Sequence, residues 1–278
     1  MLLTMFFFVT LDALAKHLMQ HYSVVQVIWA RFFFHMIFAC LALIVMQTNI
    51  REKITSKKPG LQIVRSLLML LTNGLFFIAI QTVELTTATT IMFLSPIMIT
   101  MLAIPVLGEK VGLRRWIGVF IGFFGAMVIV RPGVIEFDFA IVLLLAATVS
   151  HALYQLFTRK VRVYDDPITS LLYTGLLGTV VMSTVVPMKW QTPTLEHWPY
   201  FILLGLTGCV GHFCLITALR VAPASVVSPF AYSTLIWASG YSYFVFNEMP
   251  HHQVYIGGSI IIASGLYILH RETKLKEY

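Results

Sequence analysis

Residues 27–47 read VIWARFFFHMIFACLALIVMQ, an apolar run broken only by Arg31 and His35 before its closing Gln47. A bilayer's hydrocarbon core, about 30 Å thick, is crossed by about 20 such residues as a helix, which bonds its own backbone polar groups internally. Nine further runs of this kind occupy the rest of the chain: Leu2–Met19, Gln62–Val83, Ala88–Leu107, Trp116–Val130, Phe139–Thr158, Ile168–Pro187, Trp198–Leu219, Val226–Phe246 and Tyr255–Leu269. The composition agrees. Of 278 residues, 58% are hydrophobic and 11% charged, with a mean hydropathy of +0.85. A soluble domain needs roughly 25% charged residues to cover its surface. A soluble enzyme, a disordered chain and a disulfide scaffold are therefore excluded, and a polytopic membrane protein remains.

The joints between the runs are short and carry helix breakers and charges: Lys57-Lys58-Pro59-Gly60, Gly108-Glu109-Lys110, Arg131-Pro132-Gly133, Asp165-Asp166-Pro167 and Asn247-Glu248-Met249-Pro250. They leave no room for an aqueous domain. The first run has no basic flank and no small-residue cleavage site, so it reads as span one and not as a removable signal. With the N-terminus cytoplasmic, fifteen of the 19 bases fall on the inner side, Arg65 counted among them, and only Arg131 and Lys189 on the outer. The positive-inside rule then places both termini in the cytoplasm. The net charge of +7 is spread over these joints and not gathered on one face, which argues against a nucleic-acid partner. Cys40, Cys209 and Cys214 all lie in apolar runs, where a thiol acts as a small hydrophobe.

Laid on itself at an offset of 139, half its length, the chain repeats. Ala13-Leu14 falls on Ala152-Leu153, Gly108-Glu109 on Asn247-Glu248, and Ile117-Gly118 on Ile256-Gly257. Five runs per half is an odd number, so the second half enters the membrane from the opposite side. The expected fold is an all-α integral membrane protein of ten transmembrane helices, arranged as two inverted five-helix repeats over residues 1–134 and 135–278. Secondary transporters use this device to open a midplane site to either side in turn.

Ionisable groups inside hydrocarbon are costly and turn toward a bundle interior or a wet cavity. Span one carries Asp12 and Lys16, span two Arg31 and His35, span three Asn73, span six His151, Tyr154 and Gln155, and span eight His212. The offset pairs Asp12 with His151, Lys16 with Gln155, Asn73 with His212, Thr86 with Ser225 and Phe93 with Tyr232, so polar meets polar in four of five pairs. A cavity lined from both halves requires that pattern. Two readings stand side by side: Lys16 and Arg31 snorkel near the outer interface with Asp12 as neutralising partner, or they touch substrate or a coupling ion. The candidate substrate-binding or gating residues are Asp12, Lys16, Arg31, Asn73, His151, Tyr154, Gln155, His212, Tyr232 and Trp237.

Ser95-Pro96 and Ser228-Pro229 interrupt spans four and nine, and broken helices expose backbone oxygens to a site. Glu109 and Glu248 read as helix-end anchors. Gly118, Gly122 and Gly125, with Gly257, Gly258 and Gly265, form small faces for close helix packing. No His-Glu-x-x-His, Gly-x-Ser-x-Gly or intramembrane aspartate pair is present, which counts against an intramembrane enzyme. Glu248 with His251-His252 lacks a third ligand and reads as a solvated turn, so no metal and no cofactor are expected.

Asp12-Ala13-Leu14-Ala15-Lys16, Trp29-Ala30-Arg31-Phe32, Thr86-Thr87-Ala88-Thr89 through Pro96, Leu107-Gly108-Glu109-Lys110 and Trp116-Ile117-Gly118 resemble the EamA families of the drug/metabolite transporter superfamily. The second half repeats the pattern in Ala222-Pro223-Ala224-Ser225, Phe246-Asn247-Glu248 and Gly257. The resemblance spans essentially the whole chain, with less sequence ahead of span one than is usual. It implies a central cavity lined by spans one, three, four, six, eight and nine, with Lys16 and Arg31 at family positions. Within the superfamily the chain is similar to members for S-adenosylmethionine uptake, for riboflavin and for amino-acid or metabolite export. The expectation is a multi-pass transporter in the cytoplasmic, or inner, membrane that moves a small organic solute by alternating access. Its partners are the bilayer and that solute, and the assembly is a monomer or a homodimer. A passive channel is the first alternative and an intramembrane enzyme the second.

Overall fold

Proline starts two of the helices and stands at the break in a third. A computed structural model describes residues 1–45, 55–107, 113–130, 139–221 and 233–274. They form α1 (Leu2–Leu18), α2 (Val24–Val45), α3 (Pro59–Ala79), α4 (Leu85–Met92), α5 (Ser95–Leu107), α6 (Leu113–Val130), α7 (Phe139–Val161), α8 (Pro167–Val185) with a 3₁₀ turn over Val186–Lys189, α9 (Trp198–Val221), α10 (Thr234–Phe244) and α11 (His252–Lys274). There is no strand among the described residues. Five helical stretches are long and apolar enough to cross a bilayer: Val24–Val45, Pro59–Ala79, Phe139–Val161, Pro167–Lys189 and Trp198–Leu215.

Pro59 and Pro167 open α3 and α8, where a missing N–H costs nothing. The Asp166 carboxylate caps α8 by accepting from the Ile168 N–H at 3.1 Å. The expected fourth run, Ala88–Leu107, is two helices. α4 ends in tight turns, with Phe93 N–H on the Thr90 carbonyl and Leu94 N–H on the Ile91 carbonyl, before α5 starts at Ser95-Pro96. Proline has no N–H with which to bond the carbonyl one turn earlier, so the helix restarts there. Ser228-Pro229 and Tyr232 of the expected ninth run, Ser225 just ahead of it, and Glu109 and Arg131 in the joints lie outside the described residues.

α1 packs on α9 and α10, α2 on α8 and α9, α3 on α7 and α8, α4 on α10, α5 on α7, and α6 on α11. Glycine permits the closest of these approaches. A Cβ at Gly205 on α9 would lie 2.2 Å from the Phe34 Cβ of α2, and one at Gly125 on α6 only 2.9 Å from the Gly257 carbonyl of α11. The Gly125–Gly257 approach is the small-face packing expected from the sequence. The shared core centres on Val9, Leu18, Phe32, Phe77, Leu85 and Leu144, all sealed. The outward faces remain apolar, with Leu41, Leu71, Phe120, Phe124, Val180 and Ile202 exposed, as suits contact with lipid.

Candidate functional site

The polar residues of the core fall into three groups along the bundle. At the end where α1 finishes, Lys16 is buried and its ammonium donates to Glu248 Oε1 and Oε2 at 2.7 and 2.8 Å and to the Val83 carbonyl at 3.2 Å. It also sits 5.0 Å from the Phe246 ring centre. This departs from the sequence expectation that Asp12 neutralises Lys16. An i,i+4 neighbour on the same helix is outcompeted because the end of α10 brings a carboxylate straight onto the ammonium. Glu248 is thus an ion-pair partner and not only a helix-end anchor. Two further contacts continue the α1–α10 seam: the Thr10 and Tyr241 hydroxyls at 2.8 Å, and Phe6 edge-on to Trp237 at 5.2 Å.

The middle group is under-satisfied. Arg31 and His35 lie one turn apart on α2, both buried, facing Asp12 of α1 and His212 of α9. Asp12 and Arg31 attract one another but form no ion pair. Arg31 stacks its guanidinium 4.7 Å from the Phe32 ring. Its Nε, the His35 Nε2 and the His212 Nε2 are all sealed and find no hydrogen-bond partner among the described residues. Each buried polar atom left in this way costs about 1–3 kcal/mol unless water or a ligand meets it. Across the core, His151 meets the Ser95 hydroxyl at the α5 break, 3.1 Å from its Nδ1, and stacks on Tyr154 at 6.0 Å and 15°.

The third group is complete. Arg65 on α3 was counted from sequence with the inner-side bases, yet it is buried. Its guanidinium donates to Gln62 Oε1 at 3.2 Å, Tyr154 Oη at 3.2 Å, Thr174 Oγ1 at 2.6 Å and the Ser170 carbonyl. Gln62 passes the link to Asp165 at 2.8 Å, and Asp165 in turn accepts from Ser56 and from the Lys57 amide at 2.9 Å.

Of the residues singled out from sequence, Asp12 and Arg31 lie within electrostatic reach of one another and His212 meets His35 at 5.9 Å, while Tyr154 accepts from Arg65. Lys16 belongs to the seam above them. Asn73 is buried but spends its amide on the Met69 carbonyl of its own helix, at 2.6 Å. Gln155 is exposed and Trp237 is 37% exposed, so neither joins the buried cluster. Tyr232 lies outside the described residues. Sequence reasoning missed Arg65 as a core residue and gave Glu248 no partner. Arg65 was visible as a charge three residues inside a run, whereas the Glu248 contact depends on tertiary packing.

A multi-pass helical bundle whose core carries partly unsatisfied charged and imidazole groups defines a membrane transport protein. The chain belongs to the EamA-like transporter family, which it matches over residues 1–131 and again over 138–270. Among curated relatives, it is 27% identical over 263 residues to an S-adenosylmethionine uptake transporter of Rickettsia bellii, covering 95% of this chain and 89% of that protein. It is 32% identical over 169 residues to a riboflavin transporter of Vibrio cholerae, covering 60% of this chain and 57% of that one. A solved crystal structure superposes with a TM-score of 0.64 over 96% of both chains at 11% identity, a likeness of fold alone.

Proposed function

We propose that this chain is a secondary transporter that carries a small zwitterionic metabolite with an aromatic ring, S-adenosylmethionine-like in chemistry, across the cytoplasmic membrane by alternating access. In this reading ten spans form two inverted repeats, residues 1–134 and 135–278, with both termini cytoplasmic. The family match to each half separately supports the duplication. So does the packing. Exchanging α1 with α7, α2 with α8, α3 with α9, α4–α5 with α10 and α6 with α11 turns α1–α9 into α7–α3, α2–α9 into α8–α3, and α1–α10 into α7–α5. The α2–α8, α4–α10 and α6–α11 contacts map onto themselves. Two inverted halves can rock about a central site.

One observation carries the site: the partnerless Arg31 Nε, His35 Nε2 and His212 Nε2 beside Asp12. A zwitterion answers this set, with its carboxylate on Arg31 and its cation on Asp12, while the His151–Tyr154 stack offers a face to a heterocycle. Riboflavin has no cation for Asp12, so the Rickettsia relatives give the better chemical match. Asn73 and Gln155 are assigned to the path and not to the ligand shell. Lys16 with Glu248 and Val83, continued by Thr10–Tyr241 and Phe6–Trp237, is assigned as the outer gate, closed in this conformation. Gln155, the repeat counterpart of Lys16, is exposed at the opposite end.

Purified protein in liposomes tests the proposal. Labelled S-adenosylmethionine should enter saturably, show counterflow, and be stopped in Arg31→Gln. Flux that neither saturates nor exchanges points to a channel. Transport of riboflavin but not of the sulfonium compound removes the substrate class.

A further inference from the structure

The end of the bundle that holds Lys16 carries a second cluster. His17 lies in the last turn of α1 and His21 one turn further on, in the continuing turn, where its amide donates to the Leu18 carbonyl. His197 stands just ahead of α9, with its amide on the Thr194 carbonyl and its own carbonyl accepting from the Phe201 N–H. Its backbone is therefore fixed from both sides. Sequence spacing gave no metal set here, because His197 is remote in the chain and only the α1–α9 packing brings it in.

One ring nitrogen from each of the three lies within 4.8 Å of the others. The His21 and His197 rings stack at 4.9 Å and 26°, and His17 meets both at steep angles, 75° to His21 and 80° to His197. None of the three forms an ion pair among the described residues. We propose that His17, His21 and His197 bind one divalent transition-metal ion of the zinc class at this end of the protein.

The chemistry is specific in three respects. Imidazole nitrogens suit Zn²⁺, Cu²⁺, Ni²⁺ or Co²⁺ and not Mg²⁺ or Ca²⁺, which prefer oxygen. Tetrahedral zinc at about 2.0–2.1 Å from each nitrogen sets the nitrogens about 3.3–3.4 Å apart. The cluster reaches that spacing by a small closure, which the exposed His21 ring can supply. His17 and His21, four residues apart across the end of α1, bring their rings to 5.8 Å of one another, within reach of one ion. Second, His197 is already oriented. Its Nδ1 is 2.8 Å from the Tyr22 hydroxyl, which is buried and also accepts from the Thr194 N–H at 3.2 Å. With Nδ1 engaged, Nε2 is the nitrogen left for a metal, and such an outer partner is a recurrent feature of metal histidines. Third, the exposed His21 leaves an entry path, and three protein ligands leave a fourth position for water or another donor. A bound ion would tie the end of α1, next to Lys16, to the segment preceding α9.

The test is direct titration of metal-stripped protein, purified without a polyhistidine tag, with Zn²⁺ by calorimetry and Co²⁺ by visible absorption. The expected result is one ion per chain, with Co²⁺ bands of tetrahedral intensity and a melting temperature raised by several degrees with Zn²⁺. His21→Ala, at an exposed position, should abolish the Co²⁺ bands while leaving the metal-free melting temperature unchanged. Tyr22→Phe should weaken binding about 10–100-fold, as losing an outer partner does. The double variant His251→Ala/His252→Ala should bind as the parent does. Absence of stoichiometric binding overturns the proposal and leaves an aromatic histidine–tyrosine stack. Binding that survives His21→Ala, or that disappears in the His251/His252 variant, overturns it equally. Metal binding is read without transport, so this result and the transport result fail separately.

Discussion

Arg31 and Arg65 are the same residue at nearly the same depth from opposite ends of the bundle. Arg31 lies seven residues into α2 and Arg65 six into α3, about 10 Å inside at 1.5 Å per residue. Both are buried. Arg65 has every branch of its guanidinium occupied, by Gln62, Tyr154, Thr174 and Ser170, and through Gln62 it reaches a carboxylate outside the bundle. Arg31 has its Nε sealed with no hydrogen-bond partner among the described residues. A buried guanidinium that is fully answered joins helices. One whose Nε is left unanswered is, in the proposed function, the group that meets the ligand. The difference lies in what the neighbouring helices present, since α3 meets a hydroxyl-rich stretch of α8 whereas α2 meets imidazoles and an aspartate that forms no ion pair with Arg31.

The contrast breaks most sharply under paired substitution. Arg31→Gln should cut transport at least about thirtyfold, or about 2 kcal/mol of ligand interaction, while moving the melting temperature little. Arg65→Met should do the reverse. It strands the Tyr154 hydroxyl and the Gln62 amide oxygen, while Thr174 keeps its bond to the Ser170 carbonyl, for a stability loss of about 3 kcal/mol, the scale of a charged hydrogen bond or two. Protein that remains folded should still transport, with a KM shifted far less than the loss in Arg31→Gln, since only the anchoring of Tyr154 is weakened. Uptake in liposomes with matched thermal unfolding decides the matter, and equal losses of stability in both variants would erase the distinction.

How much of this was legible beforehand follows from where the information sits. The apolar runs and the family resemblance could be read because lipid imposes length and hydropathy on each helix separately. Asp12, Arg31 and His212 stood out for the same reason, as polar groups are rare within such runs. Arg65 was misplaced because a charge near a span's end has the same local signal whether it snorkels or turns inward. Glu248 was legible as a helix-end anchor but not as the partner of Lys16, and His197 carried no readable signal, since each lies in a joint and meets Lys16 or Tyr22 only through folding. The break at Phe93–Leu94 was foreshadowed by Ser95-Pro96, but the split of one span into α4 and α5 was not.

A smaller effect sharpens the same contrast at the proposed gate. Lys16 is answered like Arg65, but by a carboxylate that keeps 29% of its side chain exposed, so part of the attraction is screened. Lys16→Met and Glu248→Gln should each destabilise modestly, and the double variant should recover about 1 kcal/mol of the summed loss, the scale of a partly desolvated pair. A double-mutant cycle on thermal unfolding measures this. Strict additivity would mean that the two side chains do not act on one another, and the outer gate would lose its ion pair.

The smallest expected effect lies at the far end of the Arg65 chain, where Asp165 sits in the joint between α7 and α8. Partial burial pushes its pKa upward, but the hydrogen bonds from Ser56, Gln62 and the Lys57 amide, together with the Lys57 charge, outweigh it and hold the carboxyl below its ordinary 3.8. A carboxylate depressed on folding stabilises fully above its unfolded value and loses that contribution as pH falls through the folded one. The parent should therefore lose melting temperature more steeply than Asp165→Asn as pH drops below about 4, and the two should run parallel above pH 5 or so. Thermal unfolding of both proteins across that range checks the sign. Should the curves stay parallel down to the lowest pH, Asp165 is a bystander, and Arg65 is held by its four direct acceptors without help from a charge beyond them.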